Sequence, residues 1–417
     1  MTGNNARYDL SDRLIHFFRS VDSSRLDSPV MPEDWGPSSM ENPDEPFSPF
    51  FLMRNAVRQG RLWATWSVRR RRRTIYGPDP AVCFTEMPIA AFVQAGSARA
   101  KRGEMMSQYG LVFPKATVFE QGARPVIYGL SGSTTVATAA NGARMIAGTE
   151  LPPREQYRYV TYNPTGSKPI DWTHEREWRW PLRHAPPVDP DEMPPEIDDL
   201  HGLELDDDGL DGLGAVVKTA RQANQIVYDI LTKVDRDDIG ETHYEFVLAI
   251  EAVQRVSDLR NRAALEASIN AARIDLSSFF TIKKARAVNL TNAFVDVVRD
   301  VERTAPKLQV GEPGGCWLWI TDNRHELTRA LLRQGRARVT NAGKYIVDLN
   351  EFARSRGLHQ RESMTETLAK RLEVQFGVHA TYLSVLGNAD PDQVPFYNGD
   401  ELDDRFFYNH SDDPEDY

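Results

Sequence analysis

The sequence predicts an α+β protein. An N-terminal, mostly antiparallel sheet with flanking helices leads into a helical middle, and a C-terminal α+β domain follows. Three observations carry this. Strand-sized apolar segments separated by Gly and Pro crowd residues 1–186, and the texture turns to Ala, Leu, Glu and Arg at helical period beyond residue 212. Strand and helix patterns then alternate from residue 309 onward.

In order, YDLSDRLIHFFRS opens the first domain, and the Pro/Ser/Asp/Glu-rich residues 23–49 read as a long loop. FFLMRNAVRQ is a helix that ends near Gly60. AVCFTEMPIAAF, YGLVFPKATVFEQGARPVIYGL, YRYVTYNP and EWRWP are strand material. Residues 187–212 are acidic and Pro-containing and read as a linker, and residues 213–308 as a helical region. In the last domain, residues 309–417, CWLWI, KYIVDLNEF and HATYLSVLG are strands. HELTRALLRQG is a helix with Asp322 or Asn323 as its cap. SMTETLAKRLEVQFG is a second helix, opened by a Ser363/Glu366 capping box.

The 417 residues suffice for two or three domains, and 41% hydrophobic with 26% charged residues is ordinary for a globular protein. No apolar run approaches the roughly 18–20 residues that span a bilayer, and the amino terminus has no secretory h-region. Cys83 and Cys316 stand apart, without CxxC spacing, and the histidines are scattered. That pattern points away from a metal site or a disulfide framework and toward a reducing cytoplasm. The net charge of −10 argues against a wholly basic surface, yet charge is segregated. Residues 58–73 are strongly basic and end in Arg69, Arg70, Arg71, Arg72 and Arg73, whereas residues 189–211 hold eleven acids and no Lys or Arg.

HEREWRW, residues 174–180, reads as a strand with Glu175, Glu177 and Arg179 on one face and His174, Arg176, Trp178 and Trp180 on the other. Paired carboxylates there can do chemistry, or Glu177 can pair with an arginine that supports the strand. Glu86, in apolar CFTEMP, needs a partner such as Arg19 or Arg179, or a functional reason to be there. The five arginines can bind phosphates, with Trp63, Trp66 and Tyr76 stacking on bases. They can equally dock the acidic stretch of the same chain. No P-loop and no G-x-S-x-G is present.

LSDRLIHFFR, AVCFTEMPIAAF, YGLVFPKATVFEQGARPVIYG and DWTHEREWRW, in that order across residues 7–182, resemble the AbiGi-type abortive phage-resistance family. GGCWLWITDNRHELTRALL through HATYLSVLGNADPD resembles an uncharacterised bacterial domain found attached to that family. The resemblance implies phage defence in a bacterial cytoplasm and no particular chemistry. The order of early His, middle aromatic and late Glu is also similar to the ADP-ribosyltransferase superfamily. That similarity implies NAD as cofactor, with Glu177, Glu175 and His16 as catalytic residues. His16, Tyr109, Tyr128 and Glu86 would hold the cofactor, and the acceptor would be nucleic acid or protein. The alternative is a noncatalytic antitoxin-like or sensing module that binds nucleic acid or a phage component through the arginines.

Overall fold

The computed structural model describes residues 11–21, 46–69, 72–100, 107–132, 134–139, 142–165, 169–183, 201–254, 256 and 261–393. The fold is α+β, and it divides into two compact units. The described parts of Met1–Ile226 and Thr242–Asp275 make the first, and those of Val227–Glu241 and Leu276–Asn409 the second.

The strands of the first unit begin with β1 (Arg13–Phe17), β2 (Arg61–Trp63), β3 (Val68–Arg69), β4 (Arg72–Arg73), β5 (Ala81–Thr85) and β6 (Gly110–Pro114). Short strands follow: β7 (Arg124–Pro125), β8 (Ile127–Tyr128), β9 (Val136–Thr138), β10 (Arg144–Ile146) and β11 (Tyr159–Val160). The last are β12 (Glu177–Pro181), β13 (Gly202–Glu204), β14 (Leu213–Val217), β15 (Tyr244–Ala249) and β16 (Arg273–Asp275). The main sheet has the order β16-β15-β14-β6-β1-β5-β12-β7 and is antiparallel except for the β14–β15 pair. A parallel pair needs a crossover, and the helix Ala220–Asp235 lies between these strands in the chain. One core gathers Ile15, Val112, Val216, Phe246 and Leu248 of the sheet with Ile89 and Phe92 of the helix Ile89–Ala100 and Ile269 of the helix Arg262–Ala272.

Two parts of the sequence reading change. The region 213–308, read as helical, contains β14, β15 and β16. Their runs LGAVV and YEFVLA are buried almost throughout, and an apolar run without alternation does not separate a buried strand from a helix. The 187–212 linker is described only from residue 201, and there it is built into the fold. β13 pairs with β2 in the register Gly202↔Trp63 to Glu204↔Arg61. Leu203 and Leu205 are buried. A Cβ on Gly202 would lie 1.9 Å from the Leu62 carbonyl oxygen, so only glycine fits there.

The second unit is an antiparallel sheet of β17 (Gly314–Ile320), β18 (Ala337–Val339), β19 (Tyr345–Val347) and β20 (Ala380–Leu386), in the order β18-β19-β17-β20. Alternation along β17 sends Leu318 and Ile320 into a core with Phe294, Leu331 and Leu368, one from each of the helices Lys284–Thr304, Glu326–Arg333 and Leu358–Phe376. Trp317 and Trp319 join Ile346, Leu383 and Val385 in a separate cluster. Both caps differ from expectation. His325 Nδ1 accepts the Leu327 N–H at 3.1 Å, in place of Asp322 or Asn323. The last helix starts at Leu358, so Ser363 lies inside it and donates to the His359 carbonyl at 3.1 Å.

A buried polar network holds this unit together. Arg329 clasps Asp235 through Nη2 at 2.5 Å and Nη1 at 2.7 Å, and both side chains are under a tenth exposed. The Tyr345 hydroxyl donates to Asp235 at 2.7 Å and accepts from Asn323 Nδ2 at 2.8 Å. Removing Asp235 or Arg329 leaves the charge of the other buried and uncompensated. Asp235→Ala is therefore expected to lower unfolding free energy by about 3–5 kcal/mol, and Asp235→Leu with Arg329→Met to recover part of that loss in denaturant titration.

Candidate functional site

The HEREWRW stretch is not one strand. Thr173–Glu175 is a 3-10 turn, Arg176 takes the left-handed conformation at φ 46°, and the strand begins at Glu177. The ladder from Pro181↔Ala81 ends at Glu177↔Thr85, and the Thr85 hydroxyl then donates to the Glu175 carbonyl at 2.5 Å. Glu175 and Glu177 therefore do not share a strand face, and the Glu175 carboxylate faces His174 Nε2 at 3.4 Å.

Within the strand, alternation holds. Glu177 and Arg179 share a face, and Arg179 Nε donates to Glu177 Oε1 at 2.8 Å. Arg179 is 4% exposed, and its Nη1 also donates to the Tyr157 and Tyr159 carbonyls at 2.6 and 3.3 Å. Burial works most strongly against the charge on Arg179, and Glu177 and Cys83 together outweigh it, leaving the pKa above the ordinary arginine value. Cys83 pairs with Arg179 across β5 and β12. Burial first, and the Glu177 charge next, push its thiol up to about 12, so it stays protonated near neutral pH. The Glu177 N–H donates to the Tyr128 hydroxyl at 3.1 Å. Burial raises the Tyr128 hydroxyl above its ordinary value, against that N–H, which favours the phenolate. Glu177, Arg179, Cys83 and Tyr128 thus form one cluster.

His16, Glu86 and Tyr109 are held elsewhere. The register Ile15↔Thr85 places His16 beside Phe84, whose partner is Trp178, on the side of the sheet away from Glu177. Its Nδ1 donates to the Cys83 carbonyl at 2.9 Å, and the Phe18 and Phe84 rings approach edge-on. Burial lowers its pKa to about 4; the Cys83 hydrogen bond opposes that shift and the Arg19 charge adds to it. Glu86 takes neither Arg19 nor Arg179. Lys115 Nζ reaches one carboxylate oxygen and Trp178 Nε1 the other, both at 2.9 Å. The Tyr109 hydroxyl accepts from Gln222 Nε2 at 3.0 Å, and its ring lies 5.7 Å from Phe50.

The two ends of the arginine run pair as antiparallel β3 and β4, with Val68 opposite Arg73 and Arg69 opposite Arg72. Arg70 and Arg71 lie outside the described residues. Arg72 is exposed, and the Arg73 guanidinium lies over Trp66 at 4.1 Å from the ring centre. Burial lowers the Arg73 pKa. Trp66 also packs against Ile75, Ala81 and Tyr157, while Tyr76 is 2% exposed, beside Ile146, Leu151 and Tyr159. Tyr76 is thus closed to bases, and half-buried Trp66 already carries Arg73 on its ring. Among the described residues, the acidic stretch meets the basic one at Arg61, whose Nη2 lies 2.8 Å from Glu204. The sequence reading missed Arg144. Its Nη1 donates to the Arg73 carbonyl at 2.9 Å, and its guanidinium lies 4.1 Å from the Tyr76 ring centre. Nothing in the spacing of NGARMI marks it, because the approach of the β9–β10 hairpin to Arg73 is a tertiary event.

Among the described residues no group of three or more His, Cys, Asp and Glu can hold a metal ion, and no helix is long and apolar enough to cross a membrane. A family model described as a protein of unknown function (DUF4427) matches residues 282–410. No curated protein and no solved structure matches the chain.

Two outcomes follow from this geometry. The folded pKa of His16 lies below its unfolded value, so its contribution is full above pH 6.5 and is lost as pH falls toward about 4. At most about 3 kcal/mol is involved. His16→Phe should flatten that part of the stability profile in denaturant titrations across the same range. Glu177→Ala, which leaves Arg179 buried without its carboxylate, should cost about 3 kcal/mol. Glu177→Gln keeps an acceptor oxygen and should cost much less in the same assay.

Proposed function

We propose that this chain is a bacterial anti-phage protein of the abortive-infection kind, acting in the cytoplasm. In this reading the first unit is a noncatalytic, antitoxin-like or sensing module that binds nucleic acid through the Arg69–Arg73 hairpin. The four segments from LSDRLIHFFR to DWTHEREWRW support the defence setting. The observation that carries the binding role is a contrast in pairing. Glu177 and Glu86 are tied to Arg179 and Lys115, whereas Arg73 has no carboxylate partner among the described residues and stands beside exposed Arg72. An unneutralised guanidinium pair on a hairpin attracts phosphates even where the net charge is −10, because the field is local. With Tyr76 buried and the Trp66 ring carrying Arg73, contacts go to the backbone rather than to bases, so binding is independent of sequence and falls steeply with salt.

A second reading, NAD-dependent ADP-ribosyl transfer by Glu177, rests on the 21% exposure of that side chain and on the adjoining Tyr128. Cells carrying wild type, Arg72→Gln with Arg73→Gln, or Glu177→Gln would be challenged with phage. Oligonucleotide affinity and transfer of label from NAD would be measured on the same proteins. The binding role predicts that the double arginine variant loses protection and about tenfold or more in affinity at low salt, while Glu177→Gln keeps both. Label transfer that disappears in Glu177→Gln would establish the enzyme instead.

A further inference from the structure

Arg73 and Arg144 come from strand pairs about seventy residues apart in the chain, β3–β4 and β9–β10, and meet where Arg144 Nη1 donates to the Arg73 carbonyl. Each guanidinium lies 4.1 Å from an aromatic ring centre, Arg73 over Trp66 and Arg144 over Tyr76. The rings are themselves packed into two clusters, so the arginines are held in place from below. The Tyr76 hydroxyl fixes Arg144 further: it accepts from Nη2 and lies 3.0 Å from Thr161 Oγ1. The β9–β10 turn passes close by. Gly142 has φ +78°, and a Cβ there would lie 3.9 Å from Arg73 Nε.

The pairing of these two cations is incomplete. A guanidinium has five N–H donors. Arg144 uses Nη1 on the Arg73 carbonyl and Nη2 on Tyr76, and the Arg73 guanidinium has no hydrogen-bond acceptor among the described residues. Neither has a carboxylate within ion-pair distance there, although both are half-buried. Elsewhere in the unit, buried Arg179 is matched by Glu177, and half-buried Arg158, Arg61 and Arg13 by Glu155, Glu204 and Glu245. Two half-buried guanidiniums that adjoin at the Arg73 carbonyl, neither with an acid, keep donors that an anion can engage. Stacking on the rings leaves their in-plane donors for a tetrahedral oxyanion, which guanidinium forks match.

We propose that Arg73 and Arg144 form a phosphate-binding site. In the function proposed above, on which this inference builds, the backbone of a nucleic acid fills it. Arg144 is then as important to binding as any member of the arginine run, although the sequence separates it from that run. The site recognises the phosphate group and not the base.

The experiment uses the full chain and two probes, a fluorescein-labelled single-stranded oligonucleotide followed by anisotropy against salt and inorganic pyrophosphate followed by calorimetry. Arg144→Gln is expected to weaken oligonucleotide binding about tenfold at low salt and to reduce the salt slope by about one, with pyrophosphate binding lost in parallel. Arg144→Lys keeps the charge but loses the fork and should fall between; it also serves if Arg144→Gln fails to fold. Oligonucleotide affinity that drops in Arg72→Gln but is unchanged in both Arg144 variants would overturn the site and leave the binding function standing. Pyrophosphate binding that depends on Arg144, without any oligonucleotide binding, would uphold the site and sink the nucleic-acid function. Binding of neither probe by wild type would overturn both.

Discussion

The pairing of β5 with β12 is the constraint on which the first unit turns. Its register, from Thr85↔Glu177 to Ala81↔Pro181, decides which side chains of EWRWP face which side of the sheet. Arg179 is thereby carried into the interior, where a charge survives only if it is paired and hydrogen-bonded. Glu177 supplies the charge, and the Tyr157 and Tyr159 carbonyls complete the pairing. One guanidinium thus ties β12 of the main sheet to the Pro153–Arg158 turn and to β11. On the opposite side the same strand offers Trp178 to Glu86 and Trp180 to the Gln121 carbonyl. The cluster that looks like paired catalytic acids is, in its hydrogen bonding, a well-satisfied structural clasp.

Against that background the unmatched charges stand out. A folded chain tends to neutralise what it desolvates, and this unit does so at Arg13, Arg61, Arg158 and Arg179. Arg124 and Arg273 depart from that habit singly, over Phe119 and Phe246, whereas Arg73 and Arg144 do so side by side. Departures from local satisfaction are where function is expected to be found. The acidic stretch is not their counterweight among the described residues, since its strand β13 zips onto β2 and meets Arg61.

The second unit applies the same logic in its interior. Asp235, Arg329, Tyr345 and Asn323 bury polar groups against one another, so that the end of the helix Ala220–Asp235 is held by charge as well as by packing. Networks of this kind specify one arrangement because a partial version costs more than none. His325 adds a cap of an uncommon type, with Nδ1 on the Leu327 N–H and Nε2 on the Phe376 carbonyl, so both ring nitrogens are committed.

Much of this was legible in the residues. The α+β class, the strands in AVCFTE, GLVFP and CWLWI, the helix stop at Gly60 and the same-face placement of Glu177 and Arg179 follow from local chemistry: alternation, β-branched and aromatic content, and glycine's access to positive φ. What local pattern could not supply was the choice of partner. LGAVV and YEFVLA looked helical because a strand buried on both faces has no alternation to show. Glu86 had to find a cation, but only the β1–β6 and β5–β12 registers brought Lys115 and Trp178 to it. His16 and Glu177 are separated by the parity of a strand pairing, and Arg144 joins Arg73 through a contact between two hairpins. The sequence by itself determined which groups needed partners, because that depends on each residue's own chemistry. Only the tertiary structure decided which partners they received, because register and hairpin packing are properties of the whole chain.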